Sequence, residues 1–211
     1  MYRVPHYDES RIEVLHELIR SNPFGTLVTT ASSDLSANHI PMLLRTHESS
    51  AGSIVGHIAR NNPVWKSASN GGSVLAIFQG PDHYISPRWY FTGQSDGTAV
   101  PTWNYAVVHV KGAIEWVEDA DWLRQLLDDT GRAFESGDRP WRLSEVPIDY
   151  RDRLVSGIIG FRIPIDSLQG KFKLHQKASV EDRSQLIASL LSIGRDASVA
   201  MAKAIELAAK K

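Results

Sequence analysis

Between Phe24 and Val117 the chain alternates short β-type runs with clusters of turn residues, and no other feature narrows its fold so far. Phe24–Thr30 (FGTLVTT) is rich in β-branched residues, which suit a pleated, half-buried surface. Ala37–Arg45 is a second run, in which Pro41 marks an edge or a bulge. Ser53–Ala59, Ser73–Gln79, Tyr84–Tyr90 and Val100–Val117 continue the series. Ser32-Ser33-Asp34, Ser49-Ser50-Ala51-Gly52, Asn70-Gly71-Gly72, Gly80-Pro81-Asp82 and Asp96-Gly97 supply turn chemistry between them. Strands at this spacing predict a barrel or sandwich rather than strand–helix–strand units.

Helices are predicted on either side of this block. Ser10-Arg11-Ile12-Glu13 fits a capping box, Ile12, Leu15 and Ile19 recur at helical spacing, and Asn22-Pro23 stops a helix over 10–20. Asp119–Glu135 sets Trp122, Leu123, Leu126, Leu127 and Phe134 on one stripe, and Ser144–Val155 reads as another helix. Ile158–Ile165 (IIGFRIPI) returns to strand. Helices from Ser179 through Leu191, ended by Gly194, and over Asp196–Ala209 close the chain. No repeat or linker marks a second domain. The expectation is one α+β, mainly β domain over 1–211, with a strand-rich core over 22–175 and C-terminal helices over 179–210.

Bulk properties remove several function classes. With 42% apolar residues, 211 residues can bury a sizeable core. A net charge of −1 gives no general attraction to nucleic acid or anionic lipid, and no helix-turn-helix with a basic recognition helix is visible, so specific DNA binding is not expected. The chain has no cysteine, which excludes disulfides, thiolate metal sites and a cysteine nucleophile. The polar start MYRVPHYDESR lacks a signal-peptide core, and no run is apolar enough to span a membrane. A cytoplasmic location is expected. Rossmann, P-loop, HExxH and GxSxG motifs are all missing from the sequence.

The unusual stretch is Gly56–Val110, which concentrates His57, His83, His109, Trp65, Trp89, Trp103, Tyr84, Tyr90 and Tyr105. Aromatic and polar residues at strand ends line a pocket mouth or plug the end of a barrel. His57 follows Gly56, and a glycine there lets a backbone or a planar ligand approach closely. Its imidazole is either an axial ligand to haem iron or a half-buried group bonded within the sheet. His39 and His109 carry the same ambiguity. Gly170–Lys177 (GKFKLHQK), with Arg183 beyond it, is locally basic: an anion site or a solvated strand end.

Several long blocks, in order, resemble the PaiB family of FMN-binding negative transcriptional regulators: PFGTLVTT, GHIARNNPVW, AIFQGPDHYISPRWY, VPTWNYAVVHVKG, GFRIPI and GKFKLHQK. The resemblance covers nearly the whole chain. It implies an FMN-binding split β-barrel with peripheral helices, paired as a homodimer with the cofactor at the interface. The PaiB family is similar in turn to the haem-dependent piperazate synthases, which close an N-hydroxylated ornithine by forming an N–N bond. That likeness implies His57 as the ligand to haem iron. The cofactor these resemblances imply is haem b or FMN. The candidate cofactor contacts are His57, His39, Arg60, Asn62, Trp65, Arg88, Trp89, Trp103, Asn104 and Gln176, with Arg60, Lys66 and Arg88 as partners for a flavin phosphate. Lys66, Tyr105, Lys173 and His39 are candidate bases. Three functions follow: a cofactor-binding regulator, a haem-dependent N–N bond-forming enzyme, or an FMN-dependent oxidoreductase. Two departures stand out: relatives typically read KLSQN where this chain has His175 and Lys177, and the Thr92–Ala99 loop lengthens a connection.

Overall fold

A strand that alternates apolar and polar residues must bury one face, and in the computed structural model the β-type runs do so in an antiparallel arrangement. The structure describes residues 1–2, 4–31, 34–48, 50–95, 97 and 99–209. Ser32, Ser33, Ser49, Asp96, Thr98 and Lys210, on which some predicted turns, the Thr92–Ala99 connection and the last helix end partly rest, lie outside the described residues. The chain packs as two compact units, one of Met1–Leu18, Gln79–Val108 and Gln169–Lys211, the other of Ile19–Phe78 and His109–Leu168. The boundary falls inside strands and helices rather than in a linker.

In the second unit, β2 (Phe24–Ala31) pairs with β3 (Asp34–Arg45) in the register Phe24↔Pro41 and Thr26↔His39. β2 also pairs with β5 (Ser73–Ile85) at Thr26↔Ile77. β3 continues onto β4 (Ser53–Ala59) with Met42 opposite Gly56. β4 meets β8 (Ile158–Pro164), with Gly56 opposite Phe161 and His57 opposite Gly160, and β8 meets β7 (Glu115–Val117). Ile54, Met42, Phe78, Ile159 and Phe161 form the buried side. Helix α4 (Ala120–Phe134) is capped by Asp119, whose carboxylate accepts the Trp122 N–H at 2.7 Å. It lies over Gly160, where an added Cβ would meet Trp122 and Leu123. Short helices α2 (Val64–Ser67) and α5 (Ile148–Ser156) complete this unit.

In the first unit, β1 (Asp8–Glu9), β9 (Ser167–Lys173), β6 (Thr102–Ala113) and the second half of β5 are neighbours in that order. Ile85, Leu174, Leu186, Leu190, Met201 and Ile205 form its core beside the last two helices, α6 (Val180–Ile193) and α7 (Asp196–Ala209). Ser179 caps α6 by accepting the Asp182 N–H, and Gly194 ends it at φ 68°, the left-handed conformation that glycine adopts without strain.

Several predicted boundaries change. Gly80-Pro81-Asp82 is not a turn: β5 runs through it to Ile85, and the predicted strand 84–90 ends there, followed by a 3₁₀ turn at Pro87–Trp89 and helix α3 (Phe91–Ser95). A proline is tolerated because it stands beyond Ile77, the last residue of β5 paired to β2. The run Val100–Val117 divides into β6 and β7. The helix predicted over Ser144–Val155 begins only after Pro147. The first helix, α1, is Ile12–Ser21, and the Glu9 carboxylate rather than a Ser10 box accepts the Arg11 N–H, at 3.0 Å.

Asp182 ties α3 to α6. Its carboxylate accepts the Thr92 N–H at 2.9 Å and the Thr92 hydroxyl at 2.6 Å, and those bonds hold its pKa below the ordinary carboxylate value. Asp182→Ala is expected to cost about 2 kcal/mol, read by chemical denaturation at pH 7. A carboxyl depressed in the folded state stabilises it above the unfolded pKa and stops doing so as pH falls through the folded one. The difference between wild type and Asp182→Ala should therefore persist at neutral pH and narrow as pH falls below the ordinary carboxylate range.

Candidate functional site

Alternation along β3 and β4 decides what surrounds His57. Met42 and Gly56 are partners, so they share the buried side, and Pro41, His39 and His57 take the other. On that side Phe24, His39 and Pro41 are exposed, Leu35 follows at 76% exposure, and His57 is half-buried. One end of this face is open and apolar, and α4 covers the other. Burial pushes the His57 imidazole below its ordinary pKa, so it is neutral at pH 7 with a lone pair to offer a metal. Thr26 Oγ1 lies 3.0 Å from Nδ1 of His39, which fixes the second imidazole on this face.

The role predicted for Gly56 is corrected. A Cβ there would come within 2.6 Å of the Phe161 ring and 3.2 Å of the Pro41 carbonyl oxygen. The glycine makes room for a buried ring on the opposite side of β4 from His57, not for a ligand. The open part of the His57 side lies instead at Phe24, Pro41 and His39, which are exposed. A haem or a flavin ring fits that chemistry, since the face is apolar, carries a neutral imidazole and is bounded by Trp122.

Arg60, Trp65 and Asn62, three other candidates in this unit, are occupied by structural bonds. Arg60 donates to Glu118 at 2.7 Å and to the Ser156 carbonyl at 2.7 Å, which leaves it poorly placed to meet a phosphate. Trp65 donates its indole N–H to the Arg60 carbonyl, and Lys66, exposed, lies over the Trp65 ring. Asn62 donates to Asn38 at 2.8 Å and accepts from the Val64 N–H. His109 is pushed below its ordinary pKa by burial, and its Nδ1 is buried without a partner. A cavity of about 720 Å³ lined by Arg20, Met42, Arg45, Gln125, Asp129 and Phe134 contains none of the candidates, and its Arg45 is neutralised by Asp129 at 2.7 Å and Glu48 at 3.2 Å.

In the first unit the structure gathers Asn104, Lys173 and Gln176. Asn104 is fully buried and bonded to the ring of His175; Lys173 donates to the Thr102 hydroxyl. The Gln176 side chain donates to the Phe172 carbonyl and accepts the Leu174 N–H at 2.9 Å, so it shapes the turn after β9. Trp89 packs at the edge of the core, Trp103 is 54% exposed, Arg88 is exposed, and Tyr105 lies under Lys171. His175 is the member the sequence candidates omitted. Its signals were its place in the basic run Gly170–Lys177 and the departure from KLSQN.

The combination of an antiparallel sheet, peripheral helices and a helical C-terminus is the α+β split-barrel class of flavin-binding folds. The chain belongs to the family described as "Putative FMN-binding domain", whose model matches residues 1–167. It is 33% identical to Uncharacterized protein AN0679 of Emericella nidulans, over 97% of this chain and 96% of that protein. It is 29% identical to the Bacillus subtilis Protease synthase and sporulation protein PAI 2, over 100% of this chain and 99% of that one, which bears out the PaiB resemblance. The fold is shared with the FAD and Heme binding protein from Mycobacterium smegmatis, at a TM-score of 0.60 and 18% identity, covering 79% of this chain and 73% of that one. It is also shared with the Flavocytochrome Anf3 from Azotobacter vinelandii, at 0.59 and 12%, covering 82% and 72%. Among the described residues no helix is long and apolar enough to cross a membrane.

Proposed function

We propose that the protein binds haem b through His57, on the open sheet face that also carries Phe24, His39 and Pro41. The observation that carries this reading is a half-buried imidazole, kept neutral by its burial, at the edge of an exposed apolar surface. Haem, when bound, supplies a Lewis-acidic iron. The chain's own part is to offer the imidazole lone pair and to keep water from the apolar face. On this reading the reaction class is the N–N bond formation of the piperazate-synthase likeness, with an N-hydroxylated, ornithine-like substrate. The second reading is FMN binding, favoured by the family description, with a regulatory or oxidoreductase role. The absorbance spectrum of the purified protein after incubation with each cofactor separates them. A Soret band that saturates at one haem per chain is the expected result; a flavin double peak with no haem uptake would replace it with the second reading.

The same face supports a homodimer. Phe24, Leu35 and Pro41 leave an apolar sheet surface that a second copy would cover. Light scattering should give twice the 23.4 kDa of one chain, and Leu35→Lys should shift the mass toward one chain. A monomer at micromolar wild-type protein would refute the dimer.

A further inference from the structure

The turn after β9 holds a histidine in a conformation that side chains avoid. His175 has φ 57°, and it is the only non-glycine residue with positive φ among the described residues. Such a backbone costs about 1–2 kcal/mol and persists only where its surroundings over-determine it. Here the surroundings are specific. Asn104 on β6 is fully buried, and its amide nitrogen and oxygen lie 3.0 and 3.1 Å from Nδ1 of His175. Tyr90 meets the ring edge-on at 5.4 Å between centroids. A buried amide without a partner is costly, so Asn104 and the strained turn hold each other in place. Nδ1 is thereby occupied, and among the described residues Nε2 has no hydrogen-bond partner.

A fixed cation stands beside this ring. Lys173 is bonded to the hydroxyl of Thr102, which is two residues from Asn104 and therefore on the same side of β6. Arg183 donates to the Gln176 carbonyl of the same turn at 3.4 Å. Burial first, then Lys173, pushes the His175 imidazole below its ordinary pKa; Asp182 opposes them, but its carboxylate is already engaged by Thr92. At pH 7 the group is therefore a neutral imidazole next to an ammonium. Either Asn104 atom can pair with Nδ1; in the tautomer whose Nδ1–H the Asn104 oxygen accepts, the lone pair lies on Nε2.

We propose that Lys173 and the Asn104-held His175, in that tautomer, form a site for a protonated oxyanion such as hydrogen phosphate, Lys173 meeting its charge and Nε2 of His175 accepting a hydrogen bond from its O–H. Asn104 is the positioning residue. The inference uses residues of the first unit alone and stands whether or not His57 holds haem.

The test is side-chain ¹⁵N NMR of the full-length protein at pH 7, with His175 assigned among the eight histidines by His175→Gln. Inorganic phosphate should shift the Nε2 resonance saturably, while sulfate at equal ionic strength, which carries no proton at this pH, should not. Lys173→Met should weaken phosphate about tenfold, the loss of one charge-assisted contact. Asn104→Leu should abolish the preference for Nδ1–H; should that variant not fold, Lys173→Met still decides. Equal response to sulfate, no saturable shift, or an unchanged affinity in Lys173→Met would each overturn the proposal. FMN displacing phosphate where riboflavin does not would identify the ligand as a nucleotide phosphate. Displacement by glycerol phosphate but not by FMN would identify a free small phosphate.

Discussion

Gly56→Ala is expected to destabilise the protein by about 1–3 kcal/mol, although the residue lies in the motif most suggestive of ligand binding. The added methyl would sit 2.6 Å from the Phe161 ring, which is fully buried, and 3.2 Å from the Pro41 carbonyl oxygen. Neither neighbour yields cheaply: the ring packs edge-on against Trp116 at 6.0 Å, and the carbonyl is backbone. Gly160→Ala, one strand over, should be as damaging, since its Cβ would lie 2.4 Å from Trp122 and 2.9 Å from Leu123. Gly71→Ala is the control: at φ 79° with nothing within 4 Å, it costs only the conformational penalty, about 1 kcal/mol. Denaturant midpoints of the three variants give the comparison. Were Gly56→Ala as stable as wild type but defective in cofactor uptake, the glycine would be clearing space for a ligand after all.

That pair of glycines shows what the sequence could and could not disclose. Short β-branched and apolar runs bounded by turn residues made β2, β4 and β8 legible, and β4 and β8 prove largely buried on both faces. The caps of α4 and α6 were legible for a similar reason, since Asp119, Ser179 and Gly194 act on groups within a few residues. What Gly56 faces was not, because the ring that needs the space belongs to Phe161, far along the chain. The course of β5 through Gly80-Pro81-Asp82 was hidden likewise: proline and glycine read as a turn unless it is known that the strand has no β2 partner there. The long-range bond between Asn104 and His175 had no local signature either. His39 and His57 could be named as candidates, but whether they share a face depends on the Met42↔Gly56 register, which only the fold supplies.

His57→Ala is expected to weaken haem binding by roughly a hundredfold or more. Groups that merely orient a metal ligand typically contribute about 10–100-fold in affinity, so removing the ligand itself should exceed that. The Soret band of the haem-loaded wild type should lose its imidazole-ligated form in the variant, and added free imidazole should restore it by filling the space that the missing His57 ring leaves. His39→Ala is the matched control on the same face. Its ring is paired with Thr26, and its loss should weaken haem far less than the loss of His57 and leave the imidazole-ligated spectrum intact. The pH profile supplies an independent readout. Burial lowers the His57 pKa below its ordinary 6.5, so the neutral form persists to lower pH than for a solvated imidazole. Proton competition for the iron should therefore begin only below pH 6.5, and the same proton uptake should destabilise the apo-protein as pH falls further, because the unfolded chain binds it more readily. Haem uptake in His57→Ala with an unchanged spectrum, unaffected by imidazole, would remove His57 from the site and leave the flavin reading to explain the open face.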